Sequence, residues 1–479
     1  MAVMSNQIAN TEAENAWQQA ACSIRLEEQP DSDSNGQPRV IPPNSCVNFY
    51  SRFTNLEKVM ITILLGLCGF VGTMSTTGVL AAVPELVGTF DTTTTVIASS
   101  NALYLLFMGL SSCIWGPASE IFGRKKTYLC SLALFCGFSL GTALAPDLTS
   151  FLVFRALTAT QGTAFLILGS ASICDIYEPI ERATSLAWFL SGSMSGYAFG
   201  PVLGGSVVTY TSWKLIFYLQ TGMSGAILLV MSVLLKGTLH STRSAQLNGH
   251  GFGGGARKLW KWGNPTVTFK LIQNRSLLFP ILASSALVWN MYSLLTPIRY
   301  VLNPRLHLTT PLQSGMLFLS PGAGYLVGVQ IGGRWADMTT KLWVKKRGHR
   351  RPEDRLRSCL PFHCVVLPTA MILYGWMVDK SIGGVPVPVV CMFFQGLGQT
   401  ASFVSLNSYI LDVMQHRSGE ASAAHYLLRF VIGAIGTAVC VPLISSIGVG
   451  WTSVISAALA LVTGGLVVIL LRQNHGHAS

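Results

Sequence analysis

Charge is what this sequence has least of. Asp, Glu, Lys and Arg make up 11% of its 479 residues, against about 25% in an average globular chain. Half the residues are hydrophobic, and mean hydropathy is +0.48. A soluble protein of this size needs far more charge to cover its surface, which excludes a cytosolic enzyme, a nucleic-acid-binding protein and a disordered scaffold. Acidic residues are the scarcer sign, 20 against 32 basic ones, for a net charge of +12. The basic residues gather in a few short segments between apolar runs, where they set orientation in a membrane rather than meet a nucleic acid. No CxxC pair occurs among the 11 cysteines. Most of them (Cys68, Cys113, Cys130, Cys136, Cys174, Cys391, Cys440) sit in apolar stretches as small, buryable side chains, which argues against a disulfide framework or a metal site. Residues 1–56 contain no apolar h-region, so no cleavable signal peptide is expected. No group of His, Asp and Glu gathers at one membrane face, so an enzyme is not expected either.

What the chain has in abundance is long apolar stretches. A helix needs about 20 mainly apolar residues to cross the hydrocarbon core. Such runs lie near 58–80, 95–117, 126–145, 150–172, 184–208 and 214–235, then near 277–300, 312–334, 358–378, 385–411, 420–445 and 450–471. The expected fold is an all-α integral membrane protein with twelve transmembrane helices in two six-helix pseudo-repeats. The expected organisation is a disordered cytosolic tail over 1–56, a six-helix bundle over 57–236, a cytosolic central loop over 237–276, a second bundle over 277–472 and a short cytosolic tail over 473–479. Gaps after the even-numbered runs carry about 21 Lys and Arg and the alternate gaps about four, so both termini are expected on the cytosolic side. In the central loop, Gly251-Phe252-Gly253-Gly254-Gly255 reads as a flexible linker.

The two halves share a trace. The second run ends in Gly116-Pro117-Ala118-Ser119-Glu120 and leads to Gly123-Arg124-Lys125-Lys126, and the eighth ends in Gly332-Gly333-Arg334-Trp335-Ala336-Asp337. Small residues, an acid and a basic run in both places are what parallel transporter repeats leave in a sequence. Further motifs follow in order: Gly196-x-x-x-Gly200-Pro201-x-x-Gly204-Gly205, Trp213-Lys214-x-Ile216-Phe217, Asn407-x-Tyr409-x-x-Asp412 and Ala423-Ala424-x-x-Leu427-Leu428-Arg429, with Asp175-Ile176-Tyr177 and Glu181-Arg182 ahead of them. On these motifs the chain, from about Tyr50 to Arg472, resembles the major facilitator superfamily, more closely its fungal twelve-helix drug:proton antiporter branch. The resemblance implies a secondary active transporter, a monomer in the plasma membrane, that exports a small organic molecule against a proton gradient without a cofactor. A facilitator or uptake carrier of the same fold, not coupled to protons, is the alternative.

Positions within these motifs set further expectations. Gly116 lets the second and eleventh helices approach closely. Glu120 can sit against the positive N-terminal end of the eleventh helix, around Ser418-Gly419. Arg124, flanked by Gly123 and Lys125, can reach Asp175, and together these contacts latch one of two states. The family pattern has Asp and Arg where this chain has Glu120 and Ile121. Gly192, Gly196, Gly200 and Gly204 share one helix face suited to close packing, and Pro201 permits a bend. In the family this helix, including Gly205, seals the cavity and favours export; plain tight packing is the other reading.

Charges at membrane depth are functional by default. Arg155 lies roughly 7–8 Å into its helix and matches the family's helix-four arginine, implicated in proton coupling. His425 and Arg429 share a helix face; the branch usually has Asn where His425 stands. That histidine is either a proton-linked group or a packed one. No Asp or Glu falls near the middle of any run, so an anionic or neutral cargo is expected, such as an organic acid or a secondary metabolite. Trp289, Asn290, Gln395 and Asn407, with Trp188, Tyr197 and Tyr292, are candidates for the wall of a midplane site. Trp289 and Asn290 are equally readable as helix-packing groups. Trp213 and Trp451, at helix ends, are expected as interfacial anchors.

Overall fold

The computed structural model describes residues 53–235, 266–303, 310–414 and 417–476. The chain separates into two compact units, Met1–Val59 and Met60–Ser479. Most of the expected N-terminal tail, most of the central loop and residues 477–479 lie outside the described residues. Every long element among the described residues is a helix. In chain order these are α1 Asn55–Gly78, α2 Thr94–Phe122, α3 Arg124–Ala143, α4 Leu148–Ile176, α5 Arg182–Tyr210, α6 Lys214–Leu234, α7 Arg275–Pro297, α8 Leu319–Arg347, α9 Asp354–Asp379 and α10 Pro386–Val413. A last helix, Ser418–Gly476, breaks at Gly448 into α11 (418–447) and α12 (449–476). Nine helical stretches among the described residues, the broken one included, are long and apolar enough to cross a membrane. With α3 and α5 they are consistent with the expected twelve rods.

Local chemistry sets the helix ends. Thr93, Asp147 and Asn274 cap α2, α4 and α7 by accepting a backbone N–H from the first turn. The Ser150 amide and hydroxyl also hold the Asp147 carboxyl below the usual carboxylate range. Gly123 alone joins α2 to α3, at φ 89°, a conformation a side chain rarely allows. Gly448 makes the α11–α12 break at φ 81°, and the Val449 amide after it donates to Asp379 Oδ1 at 3.2 Å.

Small residues let the rods approach. A Cβ at Gly192 would lie 2.7 Å from Gly66 O, and one at Gly204 would lie 2.2 Å from Gly78 O. Thr73 Oγ1 donates to Ser193 O at 2.6 Å and Thr77 Oγ1 to Gly196 O at 3.3 Å, so the glycine face of α5 lies on α1. The same helix also grips the second half. A Cβ at Gly205 would sit 2.6 Å from Pro311 O, and one at Gly315 would sit 2.6 Å from Pro201 O. Gln330 Nε2 of α8 donates to Ser191 Oγ of α5 at 2.8 Å.

Three expectations need correction. The eighth helix does not stop near residue 334 but runs 29 residues to Arg347, about 43 Å at helical rise against a hydrocarbon core of about 30 Å. Its last turns are polar, so hydropathy could not see them. Trp213 is no surface anchor: it is 2% exposed and packs edge-on to Phe151 at 5.6 Å and Phe217 at 6.0 Å. Trp188 is 57% exposed and faces outward, not into a central site.

Candidate functional site

The α2–α3 turn brings the first constellation together. Glu120 is 5% exposed, and its Oε1 accepts the Gly419 and Glu420 amides at 3.0 and 3.3 Å. A carboxylate there meets both the unpaired N–H groups and the positive end of α11. Arg124 Nε pairs with Asp175 Oδ2 at 3.0 Å, its Nη1 donates to Ser119 Oγ, and its Nη2 donates to Ser418 Oγ at 3.0 Å. Gly116 makes this possible: a Cβ on it would lie 2.5 Å from Ala423 Cβ and 2.7 Å from Gly419 O. Three helices of the first half thus close on the start of α11. Lys125 is not part of it, because its Nζ turns away to Ser232 O of α6 at 3.1 Å.

A second constellation repeats the first in the other half. Asp337 of α8 accepts from the Thr184 amide at 2.8 Å and its hydroxyl at 2.6 Å, at the start of α5, as Glu120 does at α11. Arg355, at the start of α9, stands where Arg124 stands on α3, and its Nη1 reaches Asp337 Oδ1 at 3.2 Å. Asp412, at the end of α10, takes the place of Asp175. It accepts from Arg182 Nη1 at 2.5 Å and from Arg350, and lies 2.6 Å from Arg355 Nε. Arg355 also donates to Pro179 O, in the α4–α5 turn. With three guanidiniums crowded together, burial holds Arg350 below the ordinary arginine value even with Asp412 beside it. Arg350, Arg355 and the Arg182–Asp412 pairing were not singled out from the sequence, and Asp337 was named only as the acid of the repeat. The repeat of Gly332–Asp337 on Gly116–Glu120 was the available signal.

The buried interior is built differently. Arg155 is 2% exposed, Arg429 4% and His425 fully buried. Among the described residues Arg155 Nη2 reaches only Asn101 Oδ1, at 3.4 Å, and its guanidinium lies over the Tyr104 ring at 4.7 Å. Arg429 stands 3.8 Å over Phe403 and donates Nη1 to Ser284 Oγ at 3.0 Å. The same serine oxygen lies 2.6 Å from His425 Nε2, so one hydroxyl links imidazole and guanidinium. The His425 ring lies between Phe403 and Tyr426, at 5.8 and 5.0 Å. Among the described residues no carboxylate pairs with Arg155 or Arg429.

The remaining candidates divide. Asn407 Nδ2 reaches Ser170 Oγ at 3.5 Å, from α10 to α4 and so across the halves. Gln395 donates to Gln399 Oε1 on its own helix at 2.8 Å, leaving its Oε1 without a partner. Trp289 and Asn290 turn to α12 instead: Trp289 Nε1 donates to Ser456 Oγ at 3.1 Å, and Asn290 Nδ2 to Ser456 O at 3.0 Å. Their hydrogen-bonding groups fix α7 on α12, which is the packing alternative. Of the helix-five residues, Gly196, Gly200 and Gly204 meet α1, while Pro201 and Gly205 meet the segment ahead of α8.

A family model described as Major Facilitator Superfamily matches residues 65–437. The MFS-type transporter penM of Penicillium rubens is 24% identical over 440 residues, covering 87% of this chain and 84% of its own. The efflux pump radE of Floropilus chiversii is 24% identical over 423 residues, covering 85% of this chain and 78% of its own. Among solved structures, the human organic anion transporter MFSD10 (TETRAN) superposes with a TM-score of 0.68 at 15% identity, covering 86% of this chain and 99% of that one; at that identity the likeness speaks for the fold.

Proposed function

The chain belongs to the major facilitator superfamily, and on that premise we propose that it exports a small organic molecule, an organic acid or a secondary metabolite, by alternating access coupled to proton antiport. The observation that carries this reading is the pair of mirrored constellations at one end of the bundle. Each joins the carboxylate of one half to a helix N-terminus of the other, so neither half can tilt without breaking both. They are latches on a state closed at that face. The positive-inside bias makes that face cytosolic, and the closed state then offers its site to the outside. An efflux pump among the relatives supports the outward direction. The protein acts as a monomer in the plasma membrane with both termini cytosolic, and its energy comes from the proton gradient rather than from a cofactor.

In this scheme Arg155, His425 and Arg429 form the midplane site, with Asn407 bridging the halves beside it. The helix-five glycines keep α5 seated on α1 while Pro201 lets its far end move. Because two cations without a carboxylate repel a cationic cargo, the cargo is anionic or neutral.

Export into everted vesicles from cells that overproduce the protein should collapse when a protonophore removes the gradient. Movement indifferent to the gradient favours the second reading, an uncoupled facilitator or uptake carrier. One observation speaks for that reading: among the described residues no midplane carboxylate is available to carry a proton.

A further inference from the structure

The far end of α8 carries a surface that the latches do not use. Its exposed apolar side chains Ile331, Trp335, Met338 and Leu342 follow one another at helical spacing and share one face. One turn further on, Lys345 and Lys346, both exposed, continue that face. The charges here are gathered rather than scattered. Arg357 of α9 stacks on the Trp343 ring at 3.9 Å, and Arg347 and Lys346 of α8 stand 5.4 and 5.5 Å from the same ring. Three cations from two helices thus meet at one indole. Asp354 pairs with Arg347 at 3.2 Å, but among the described residues no carboxylate pairs with Lys345 or Lys346. From Lys341 to Arg357 the chain holds eight Lys and Arg against two acids, so whatever meets this surface is an anion.

Depth narrows what that anion is. Trp343 lies about 36 Å along the helix from Leu319, beyond a hydrocarbon core of about 30 Å but within the about 40–45 Å that includes both headgroup layers. The apolar stripe therefore meets acyl chains, and the cations stand among headgroups. An acidic peptide would match the charge and leave the stripe uncovered. Free phosphate would do the same, and a zwitterionic lipid brings a cation of its own to a cluster of cations. A lipid with net negative charge satisfies both parts, and the cytosolic leaflet is where such lipids gather. We propose that this end of α8 binds an anionic phospholipid of the cytosolic leaflet. Its chain lies along the apolar stripe, and its phosphate is held by Lys345, Lys346 and the guanidinium edge that Arg357 keeps open while its face covers Trp343. One headgroup then spans α8 and α9, two residues from Arg355, which grips Asp337. Occupancy braces the second latch.

The test uses the purified full chain in detergent with dioctanoyl phospholipids as probes: phosphatidylserine and phosphatidylinositol against phosphatidylcholine, and inorganic phosphate as a headgroup without a chain. The thermal midpoint is followed against probe concentration. The two anionic lipids should raise it to a plateau, and phosphatidylcholine and phosphate should not. Lys345→Ala with Lys346→Ala should raise the half-saturating concentration at least about tenfold, and Met338→Gln with Leu342→Gln about three- to tenfold. All four of these side chains are exposed, so folding does not depend on them. Lys126→Ala with Lys270→Ala removes as much exposed charge from elsewhere and should leave probe affinity unchanged. Phosphatidylcholine or phosphate matching the anionic lipids would overturn the proposal. So would a site variant that binds as the wild type does, or an equal loss in the Lys126 and Lys270 variant. The readout is binding alone, so it stands apart from the direction of transport and from proton coupling.

Discussion

Arginine serves two purposes at two levels of this molecule. At the charged face Arg124, Arg182, Arg350 and Arg355 all reach carboxylates, and the Arg182–Asp412 pair joins the halves. In the buried interior Arg155 and Arg429 reach a serine, an asparagine and aromatic rings. A buried ion pair is costly to break by removing one partner, so the first set should behave as structure. A buried cation without a counter-charge contributes nothing to stability, so the second set should behave as a site. The same side chain is thus told apart by its neighbours, not by its depth.

The largest expected effect lies at Asp412, which faces three guanidiniums. Asp412→Asn should cost about 3–5 kcal/mol, read as a lower thermal midpoint and less folded protein in the membrane. Asp175→Asn loses the hydrogen-bonded partner of Arg124, with a side chain 15% exposed, and should cost only about 2 kcal/mol. Equal losses would erase the difference between the two latches.

The sharpest contrast comes from removing arginines. Arg355→Gln should destabilise by about 3 kcal/mol, since it leaves Asp337 without its guanidinium and takes one of three from Asp412. Arg155→Gln should leave the thermal midpoint unchanged or raise it, while transport falls at least about tenfold. A shared loss of stability in both variants would show that Arg155 has a partner as firm as that of Arg355. Glu120→Ala comes next. It should reduce transport several-fold in vesicle assays, with membrane delivery intact, because it frees the start of α11 without stranding a cation. Trp289→Phe should be the mildest. It removes the bond to Ser456, costing about 1 kcal/mol, and should not move probe affinity.

How far these regions could be read in advance differs for physical reasons. The first latch was legible because Gly116, Glu120, Gly123 and Arg124 lie within nine residues of chain and Asp175 closes a named motif. Its mirror image was not, although Asp337 stands in the repeated pattern. The polar end of α8 hides from hydropathy, so Arg355 looked like one more basic loop residue, and Arg182 and Asp412 meet across 230 positions. Hydropathy also gives depth without direction. It placed Arg155, Trp188, Trp289 and Asn290 in the membrane, but only packing shows that Arg155 turns to Tyr104 while Asn290 turns to α12 and Trp188 outward.

The most direct measurement is the distance between spin labels at Lys126 and Lys341, both on exposed surface of opposite halves near the charged face. In the wild type without cargo the distribution should be dominated by the short distance of the latched state. Glu120→Ala combined with Asp337→Asn should add a clearly separated longer distance. A distribution that the double variant leaves unchanged would contradict the claim that the two constellations hold this face shut.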